Sequence, residues 1–208
     1  MTNPATPQEP FDETSVNPDP LKQFAVWYDA AEKAGIHLPM AMTLATSTRE
    51  GAPSARIVLL KQADQRGFSF YTNYRSRKGK ELAANPRGAL VFFWDQLDRQ
   101  VRAEGSIVPV SAEESDRYFA TRPRESQLGA HASPQSEPII GRASIDEAVR
   151  KLEAAYAGTT VPRPEHWGGF CLRPARVEFW QGREGRLHDR IVYVRSVGEE
   201  WSVERLAP

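Results

Sequence analysis

Residues 56–82 read RIVLLKQADQRGFSFYTNYRSRKGKEL, and the rest of the predicted fold is arranged around this stretch. Two short apolar runs, residues 57–60 and 68–71, are separated by Asp64 and Gly67. Short apolar runs bounded by turn residues are typical of β-strands. The simplest prediction is a β-hairpin that joins these two runs through a tight turn.

The end of the same stretch predicts an anion-binding site. Ser76 is a good helix N-cap, and the free N–H groups and dipole of the following helical turn favour an anion, as do Arg77 and Lys78 within that turn. Arg56 and Lys61 lie five residues apart at opposite ends of the first predicted strand, so side-chain alternation predicts that they bind different groups. From these residues alone, a solvated basic turn between two core strands remains an alternative.

Composition limits the classes of function. The 208 residues suit a single domain, and 27 Lys and Arg balance 27 Asp and Glu, so no overall basic field favours nucleic acid or a membrane surface. Cys171 is the only cysteine, and the first residues lack the features of a signal peptide, which together predict a cytoplasmic location. The most apolar run, residues 89–94, is too short to span a bilayer.

The remaining pattern predicts a mainly β fold with helices, in the α+β class. Residues 1–18 are rich in proline and predict a flexible or partner-draped arm before one domain of residues 19–208. Helices are predicted from Asp19 to Gly35, after Ser76, and after two capping boxes, Ser111 with Glu114 and Ser144 with Glu147. Further strands are predicted at residues 41–46, 89–94, 100–110, 170–172, 176–180, 190–195 and 201–206. Short connections between strands favour an antiparallel sheet closed into a barrel.

A second cluster of phosphate-type donors lies in YFATRPRESQ, residues 118–127. Tyr118, Arg122, Arg124 and Ser126 gather around a helix end and a proline-fixed turn, and Arg guanidinium groups bind phosphate well. The alternative is a solvated helix C-terminus, where cations complement the helix dipole.

A third cluster lies in FWQGREGRLHDR, residues 179–190. Arg186, His188 and Arg190 alternate, so a strand here would present all three on one face. Two arginines and a histidine are expensive to bury without an anionic or aromatic ligand, which favours a functional role for this face.

Other chemistries have little support in the sequence. His37, His131 and His166 lack the spacing of metal ligands, so no metal site is predicted. Neither GxGxxG, GxxxxGK[ST] nor GxSxG is present, and Cys171 has the character of a core residue rather than a nucleophile.

The motifs taken together closely resemble the pyridoxine/pyridoxamine 5′-phosphate oxidase family, over nearly all of residues 19–208 and in the family's order and spacing. The matching segments are RIVLLK, FYTN, SRKGKEL, RQVRAEG, YFATRPRESQLGA, SPQS, WGGF, EFWQGREGRLHDR and the terminal ERLAP. The resemblance implies a split β-barrel homodimer that holds FMN in clefts at the subunit interface. It also implies oxidation of pyridoxine 5′-phosphate or pyridoxamine 5′-phosphate to pyridoxal 5′-phosphate, with hydride transfer from C4′ to the flavin and reduction of O2 to H2O2. Residues 1–20 contain no basic residue, unlike the basic, tyrosine-containing arm of some family members.

The same resemblance assigns the site residues. The positions implied to contact FMN are Arg56, Ile57, Val58, Leu59, Leu60, Lys61, Tyr71, Thr72, Arg77, Lys78, Gln100, Gln135, Ser136, Trp180 and Arg190. The positions implied to bind the substrate phosphate are Lys61, Tyr118, Arg122 and Ser126. Arg186, Leu187 and His188 are implied to lie at the substrate's pyridine ring, and Arg186 and His188 are the predicted catalytic residues.

Three alternatives remain open from the sequence. The first is a related split-barrel flavoenzyme that acts on another ring, such as a phenazine precursor. The second is a flavin or pyridoxal-phosphate carrier without turnover. The third, a nucleic-acid-binding barrel that uses Tyr74, Arg75, Arg77 and Lys78, is disfavoured by the zero net charge.

Overall fold

A computed structural model describes residues 11–196 and 200–208 of the chain. Within those residues, nine strands form one antiparallel sheet: β1 Ala41–Ser47, β2 Pro53–Leu59, β3 Gln62–Asp64, β4 Gly67–Asn73, β5 Arg87–Trp94, β6 Arg99–Pro109, β7 Trp167–Gln181, β8 Asp189–Arg195 and β9 Trp201–Arg205. The helices are α1 Pro20–Lys33, α2 Arg77–Ala84, α3 Ala112–Ala120, α4 Arg124–Ala132 and α5 Arg142–Ala155. The predicted fold class, an antiparallel α+β barrel-like sheet, is confirmed.

The sheet runs in the order β2-β1-β5-β6-β7-β4-β3, and β8 and β9 branch from β7. The branch is possible because β7 is long: its first part pairs with β4 and its second part with β8, while β6 pairs along its other edge. Residues 170–172 and 176–180 are therefore parts of one strand, and the prediction of two strands was wrong. Pro174 does not end the strand, because it lies at a bulge: Gly105 pairs with Pro174 and Glu104 with Arg176, which leaves Ala175 of β7 as the extra residue.

The predicted hairpin of residues 57–60 and 68–71 was also wrong. β2 pairs with β1 along its whole length, and the hairpin is formed instead by β3 and β4. The backbone N–H of Leu60 donates to Met40 (2.9 Å), whereas that of Lys61 donates to Ser69 (2.8 Å). The chain therefore passes at Leu60 and Lys61 from the β2 edge of the curled sheet to its β3–β4 edge.

Helix α1 covers the core of the sheet, as the sequence predicts. The Asp19 carboxylate accepts a hydrogen bond from the Leu21 N–H (2.8 Å), and Gly35 follows the helix with φ +74°. Phe24 packs on Phe68 and Phe92, each with ring centroids 4.9 Å apart. This aromatic core fixes the sheet that carries residues 56–61.

Two of the other helices begin at the N-cap residue that the sequence predicts. Ser76 caps α2, and Ser111 caps α3 by accepting from Glu114 N–H (3.1 Å). The capping box predicted at Ser144 was wrong, because α5 begins at Arg142 and the Ser144 hydroxyl donates to the Gly141 carbonyl (2.7 Å). Helix α4, which begins after Pro123, was not predicted.

The arm predicted over residues 1–18 falls partly outside the described residues, which begin at Phe11. From there the chain lies against the domain: the Phe11 and Trp27 rings are 4.8 Å apart, Arg205 pairs with Glu13 (2.9 Å), and the Tyr193 hydroxyl donates to the Asn17 carbonyl (2.7 Å). In the described part of the chain, no helix is both long and apolar enough to cross a membrane.

Candidate active site

A cavity of about 500 Å³ opens between β2, β4, the start of α2 and the α3–α4 turn. This volume lies within the roughly 300–1,000 Å³ range of pockets that bind cofactors and small molecules. The cavity is lined by Arg56, Ile57, Val58, Leu59, Lys61, Tyr71, Thr72, Lys78, Tyr118, Thr121, Arg122, Pro123, Ser126, Gln135 and Trp167. Twelve of these fifteen residues were predicted from the sequence, so the structure brings most of the first two predicted clusters into one site. Arg77 and Arg124 do not line the cavity, and Arg124 donates instead to the Tyr156 and Thr159 carbonyls.

Lys78 is the buried cation of this cavity. Within the part of the chain that the structure describes, its side-chain ammonium donates only to neutral oxygens, those of Gln135 (3.0 Å), Thr72 (3.3 Å) and Ser76 (3.3 Å). Burial lowers the pKa of Lys78, and the nearby charge of Arg56 lowers it further. An ammonium that is buried without an ion-pair partner is costly, and an anionic ligand removes that cost.

Glu81 lies behind Lys78, and the sequence analysis did not identify it. Its side chain is 5% exposed and receives Arg77 Nε (2.9 Å) and Arg56 Nη2 (3.3 Å). Burial raises the pKa of Glu81, but hydrogen bonds from Ser54, Thr46 and the two arginines outweigh it and lower the pKa to about 2. The i,i+4 spacing from Arg77 was the available sequence signal.

Arg56 and Lys61 both line the cavity, so they do not point to opposite faces as side-chain alternation predicts, and their binding of different groups stays a prediction. The alternation argument fails because β2 ends at Leu59 and Lys61 lies beyond it. The side chain of Leu60 is buried in the hydrophobic core and does not line the cavity.

An aromatic stack forms another wall of the cavity. The Tyr71 ring lies 4.0 Å from that of Tyr118 and 5.5 Å from that of Trp167, and the planes are nearly parallel. Burial is the main reason that the pKa of Tyr71 is raised to about 12, so this hydroxyl stays protonated. Lys61 Nζ lies 5.9 Å from the Tyr118 ring centroid, at the open side of the stack.

Arg122 completes this wall. Its guanidinium lies 4.5 Å from the Trp167 ring centroid, and burial lowers its pKa. The Nη1 atom is buried and has no hydrogen-bond partner within residues 11–196 and 200–208. A buried guanidinium nitrogen without an acceptor is a place for a ligand oxygen.

The third predicted cluster is arranged differently from the prediction. Glu184–Arg186 forms a 3-10 turn, and β8 begins only at Asp189, so Arg186, His188 and Arg190 do not alternate along one strand. The prediction placed Arg186 on a strand directly after the glycine turn, whereas Arg186 is part of that turn. His188 packs on Trp180 (4.6 Å between centroids) and accepts the Arg183 backbone N–H at Nδ1 (3.1 Å).

The third cluster does not line the cavity within this chain. Arg186 and Leu187 are exposed, and Arg190 donates to the buried carboxylate of Glu178 (2.9 Å). Gln100 lies opposite Trp180 in the β6–β7 ladder, on the same sheet. Ser136 is exposed next to Gln135, outside the cavity lining.

Two predicted site residues have an unusual backbone. Among the described residues, three non-glycine residues have positive φ: Asp98, Ser136 (+72°) and Arg186 (+63°). This conformation costs a residue with a side chain roughly 1–2 kcal/mol. Such strain clusters at ligand-binding and catalytic positions, so it supports a functional role for Ser136 and Arg186.

The cavity offers two separate positions for an anionic group. Among the described residues, Lys78 has no ion-pair partner at the start of α2, and the Arg122 Nη1 atom has no acceptor beside Trp167. The neighbours of these two cations do not overlap. The aromatic wall supplies the apolar surface that ring-shaped ligands require.

Comparison with known proteins identifies the same family that the sequence motifs resemble. The family model described as Pyridoxamine 5′-phosphate oxidase matches residues 28–157, and that described as Pyridoxine 5′-phosphate oxidase C-terminal dimerisation region matches residues 167–208. A pyridoxine/pyridoxamine 5′-phosphate oxidase of Cyanothece sp. is 57% identical over 97% of this chain and 94% of the relative. Another, of Rubrobacter xylanophilus, is 56% identical over 94% of this chain and 90% of the relative.

Solved structures share the fold. PhzG from Burkholderia lata, solved in complex with tetrahydrophenazine-1-carboxylic acid, superposes with a TM-score of 0.90 at 29% identity, covering 96% of this chain and 98% of that one. An FMN-binding protein of Nostoc punctiforme superposes with a TM-score of 0.73 at 16% identity, over 91% and 98% of the two chains, which supports the fold alone. From the two family matches and the close relatives, the chain belongs to the pyridoxine/pyridoxamine 5′-phosphate oxidase family.

Proposed function

We propose that this chain is an FMN-dependent oxidase that converts pyridoxine 5′-phosphate and pyridoxamine 5′-phosphate to pyridoxal 5′-phosphate. Membership of the oxidase family supports the activity. The structural observation that carries it is one cavity with two buried cations, Lys78 and Arg122, that have no anionic partner among residues 11–196 and 200–208. The cofactor and the substrate each bring one phosphate, which matches these two positions.

Lys78, Arg56 and Arg77 would bind the FMN phosphate at the start of α2. The Ser76 cap orients that helix end, and its dipole adds to the attraction. Thr72 and Gln135 keep the Lys78 ammonium in place. When bound there, FMN would supply the two-electron oxidation of the substrate's C4′ carbon, with O2 as the final electron acceptor and H2O2 as its product.

Arg122, Lys61, Tyr118 and Ser126 would bind the substrate phosphate. The Arg122 guanidinium lies 4.5 Å from the Trp167 ring centroid, and this contact would help to hold it in place for a ligand phosphate. Holding the phosphate fixes the position of the distant C4′ carbon, and such fixed positioning supplies much of the rate enhancement when two groups must meet.

The active unit is a homodimer, and we propose that the partner subunit closes the cavity. Trp180, Arg186, His188 and Arg190 lie outside the cavity of their own chain, and all four fall within the region matched by the dimerisation model. Leu187, between Arg186 and His188, is 72% exposed in the single chain. Across the dimer, this loop would supply Arg186 and His188 at the substrate ring.

The two substrates differ in the fate of the oxidised carbon. Removing hydride from C4′ and a proton from the alcohol gives the aldehyde directly. The amine gives an imine, which water hydrolyses to the aldehyde and ammonia.

We place this reaction in the cytoplasm, because the single cysteine is buried and forms no disulfide within the chain.

Anaerobic spectroscopy tests the proposal. The purified protein should show flavin absorption that pyridoxine 5′-phosphate bleaches under nitrogen and that returns in air with release of H2O2. Pyridoxine without its phosphate is the matched control, and it should bleach the flavin far more slowly. Flavin that stays oxidised with both phosphorylated substrates would indicate a carrier without turnover.

A second candidate function is the oxidation of another ring, as the close structural match to PhzG suggests. The free Arg122 Nη1 favours a phosphorylated substrate instead. A tricyclic carboxylic acid that bleaches the flavin faster than pyridoxine 5′-phosphate would favour this second candidate.

A further inference from the structure

We propose that Glu81 is a positioning residue for the cofactor phosphate: it holds Arg56 and Arg77 in place and makes the site selective for a phosphorylated flavin. The inference rests on the proposed FMN site. It concerns a residue that does not line the cavity and acts through the two arginines.

The contacts of Glu81 join three parts of the fold. Its Oε2 accepts hydrogen bonds from Thr46 on β1, Ser54 on β2 and Arg56 on β2, and its Oε1 accepts from Arg77 on α2. Arg56 in turn donates to the hydroxyl groups of Thr46 and Ser54. Both guanidinium groups are therefore tied to one buried carboxylate, while Arg77 remains 62% exposed and accessible to a ligand.

The net charge of the group formed by Glu81, Arg56, Arg77 and Lys78 is opposite to that of the proposed ligand, a phosphate. Arg56 and Arg77 pair with the Glu81 carboxylate, and Lys78 lies close enough for that carboxylate to influence its pKa, so three cations and one carboxylate leave two net positive charges. A phosphate monoester carries a charge close to −2 at neutral pH. A buried carboxylate beside an anion site has an electrostatic cost, and rigid placement of the two guanidinium groups is the gain that offsets it.

Replacing Glu81 separates the effect of its charge from its effect on the positions of the two arginines, because the two change FMN affinity in opposite directions. Charge alone predicts that Glu81→Gln strengthens FMN binding, since the cluster gains one positive charge. Positioning predicts that it weakens FMN binding, because an amide cannot accept from both arginines as a carboxylate does. We expect the second result.

The experiment is a fluorescence titration of the flavin-free protein with FMN and, separately, with riboflavin, which lacks the phosphate. Glu81→Gln should lower FMN affinity by about ten- to a hundred-fold, the range for lost charge-assisted hydrogen bonds, and leave riboflavin affinity unchanged. A general structural defect would weaken both flavins alike. Glu147→Gln makes the same chemical change on the exposed face of α5 and should change neither affinity.

A second variant covers the case in which Glu81→Gln does not fold. Ser54→Ala removes one bridge between Glu81 and Arg56 but keeps the cluster charge, and it should weaken FMN by a smaller factor without affecting riboflavin. FMN affinity that is unchanged or higher in the folded Glu81→Gln variant, or equal losses for both flavins, would overturn the inference. If Glu81→Gln does not fold, an unchanged FMN affinity in Ser54→Ala would overturn it. Failure of the wild-type protein to bind FMN would instead reject the proposed function.

Discussion

At the scale of single residues, Lys78 gives the most direct test of the cofactor site. Lys78→Ala removes an ammonium that contacts only neutral oxygens, so FMN should lose a charge-assisted contact worth about 1.5–3 kcal/mol, or about ten- to a hundred-fold in affinity. Titration of the flavin-free protein measures this. Lys80→Ala is the matched control, because Lys80 lies on the same helix but is exposed and paired with Glu137 (2.6 Å). Equal FMN affinity in the Lys78 variant and the wild type would rule out this assignment.

Variants of Arg186 and His188 test which of the two residues contributes to hydride transfer from the substrate. Arg186 is always charged, whereas His188 already accepts a backbone N–H at Nδ1, which suits a neutral ring that holds the substrate in register. Arg186→Leu should slow flavin reduction at saturating pyridoxine 5′-phosphate, by more than His188→Asn does, and should leave FMN bound. Anaerobic stopped-flow reduction measures both rates. A wild-type rate with weaker substrate binding would show that Arg186 only binds.

Most of the residues that line the cavity could be predicted from the sequence, but the residues that hold them in place could not. Lys78 follows a recognisable cap, and Arg122 lies in a recognisable cluster, so both could be predicted. For Glu81 the sequence offers only its i,i+4 spacing from Arg77. The contacts of Glu81 with Ser54 and of Trp167 with Arg122 join distant segments and could not be predicted. A pattern along the chain carries no information on which distant side chains meet.

At the scale of elements, the start of α2 is held by a close backbone contact at Gly79. A Cβ atom there would lie 2.2 Å from the Tyr74 carbonyl oxygen, so the helix start has to move. Gly79→Ala should lower the free energy of unfolding by about 1–3 kcal/mol and weaken FMN binding, because it displaces the helix end that carries Lys78. Thermal unfolding and flavin titration measure the two effects.

Gly129→Ala is the control for this prediction. Gly129 lies in α4 with no atom within 4 Å of the added methyl group, so alanine should raise the free energy of unfolding by about 0.5–1 kcal/mol and leave FMN binding unchanged. A Gly79→Ala protein as stable as Gly129→Ala would show that the Tyr74 contact does not restrict α2.

Strand pairing was the weakest part of the sequence prediction. The apolar runs at residues 57–60 and 68–71 were correctly identified as strands, but their partners are β1 and β3 rather than each other. An apolar run specifies that a segment is buried and extended, and it does not specify its neighbour. Helix starts were better predicted, because caps such as Ser76 and Ser111 act within a few residues.

At the scale of the whole molecule, cofactor binding should be linked to assembly. If FMN contacts residues from both subunits, its binding free energy adds to that of the dimer, so FMN should tighten dimerisation. Sedimentation of the flavin-free and FMN-loaded protein across a concentration series measures this. An FMN-loaded protein that is monomeric at micromolar concentration would contradict the prediction.

The stack of Tyr71, Tyr118 and Trp167 also has an optical consequence. The emission of an indole ring responds to nearby charge, and Arg122 lies 4.5 Å from the Trp167 ring. Trp27 and Trp94 are buried in the core, so their emission should be insensitive to ligands in the cavity. Trp180 and Trp201 do not line the cavity of their own chain, and a Trp167→Phe variant separates the Trp167 signal from theirs. Trp167 is therefore a built-in fluorophore at the substrate-phosphate position, and inorganic phosphate alone should change its emission without any flavin present.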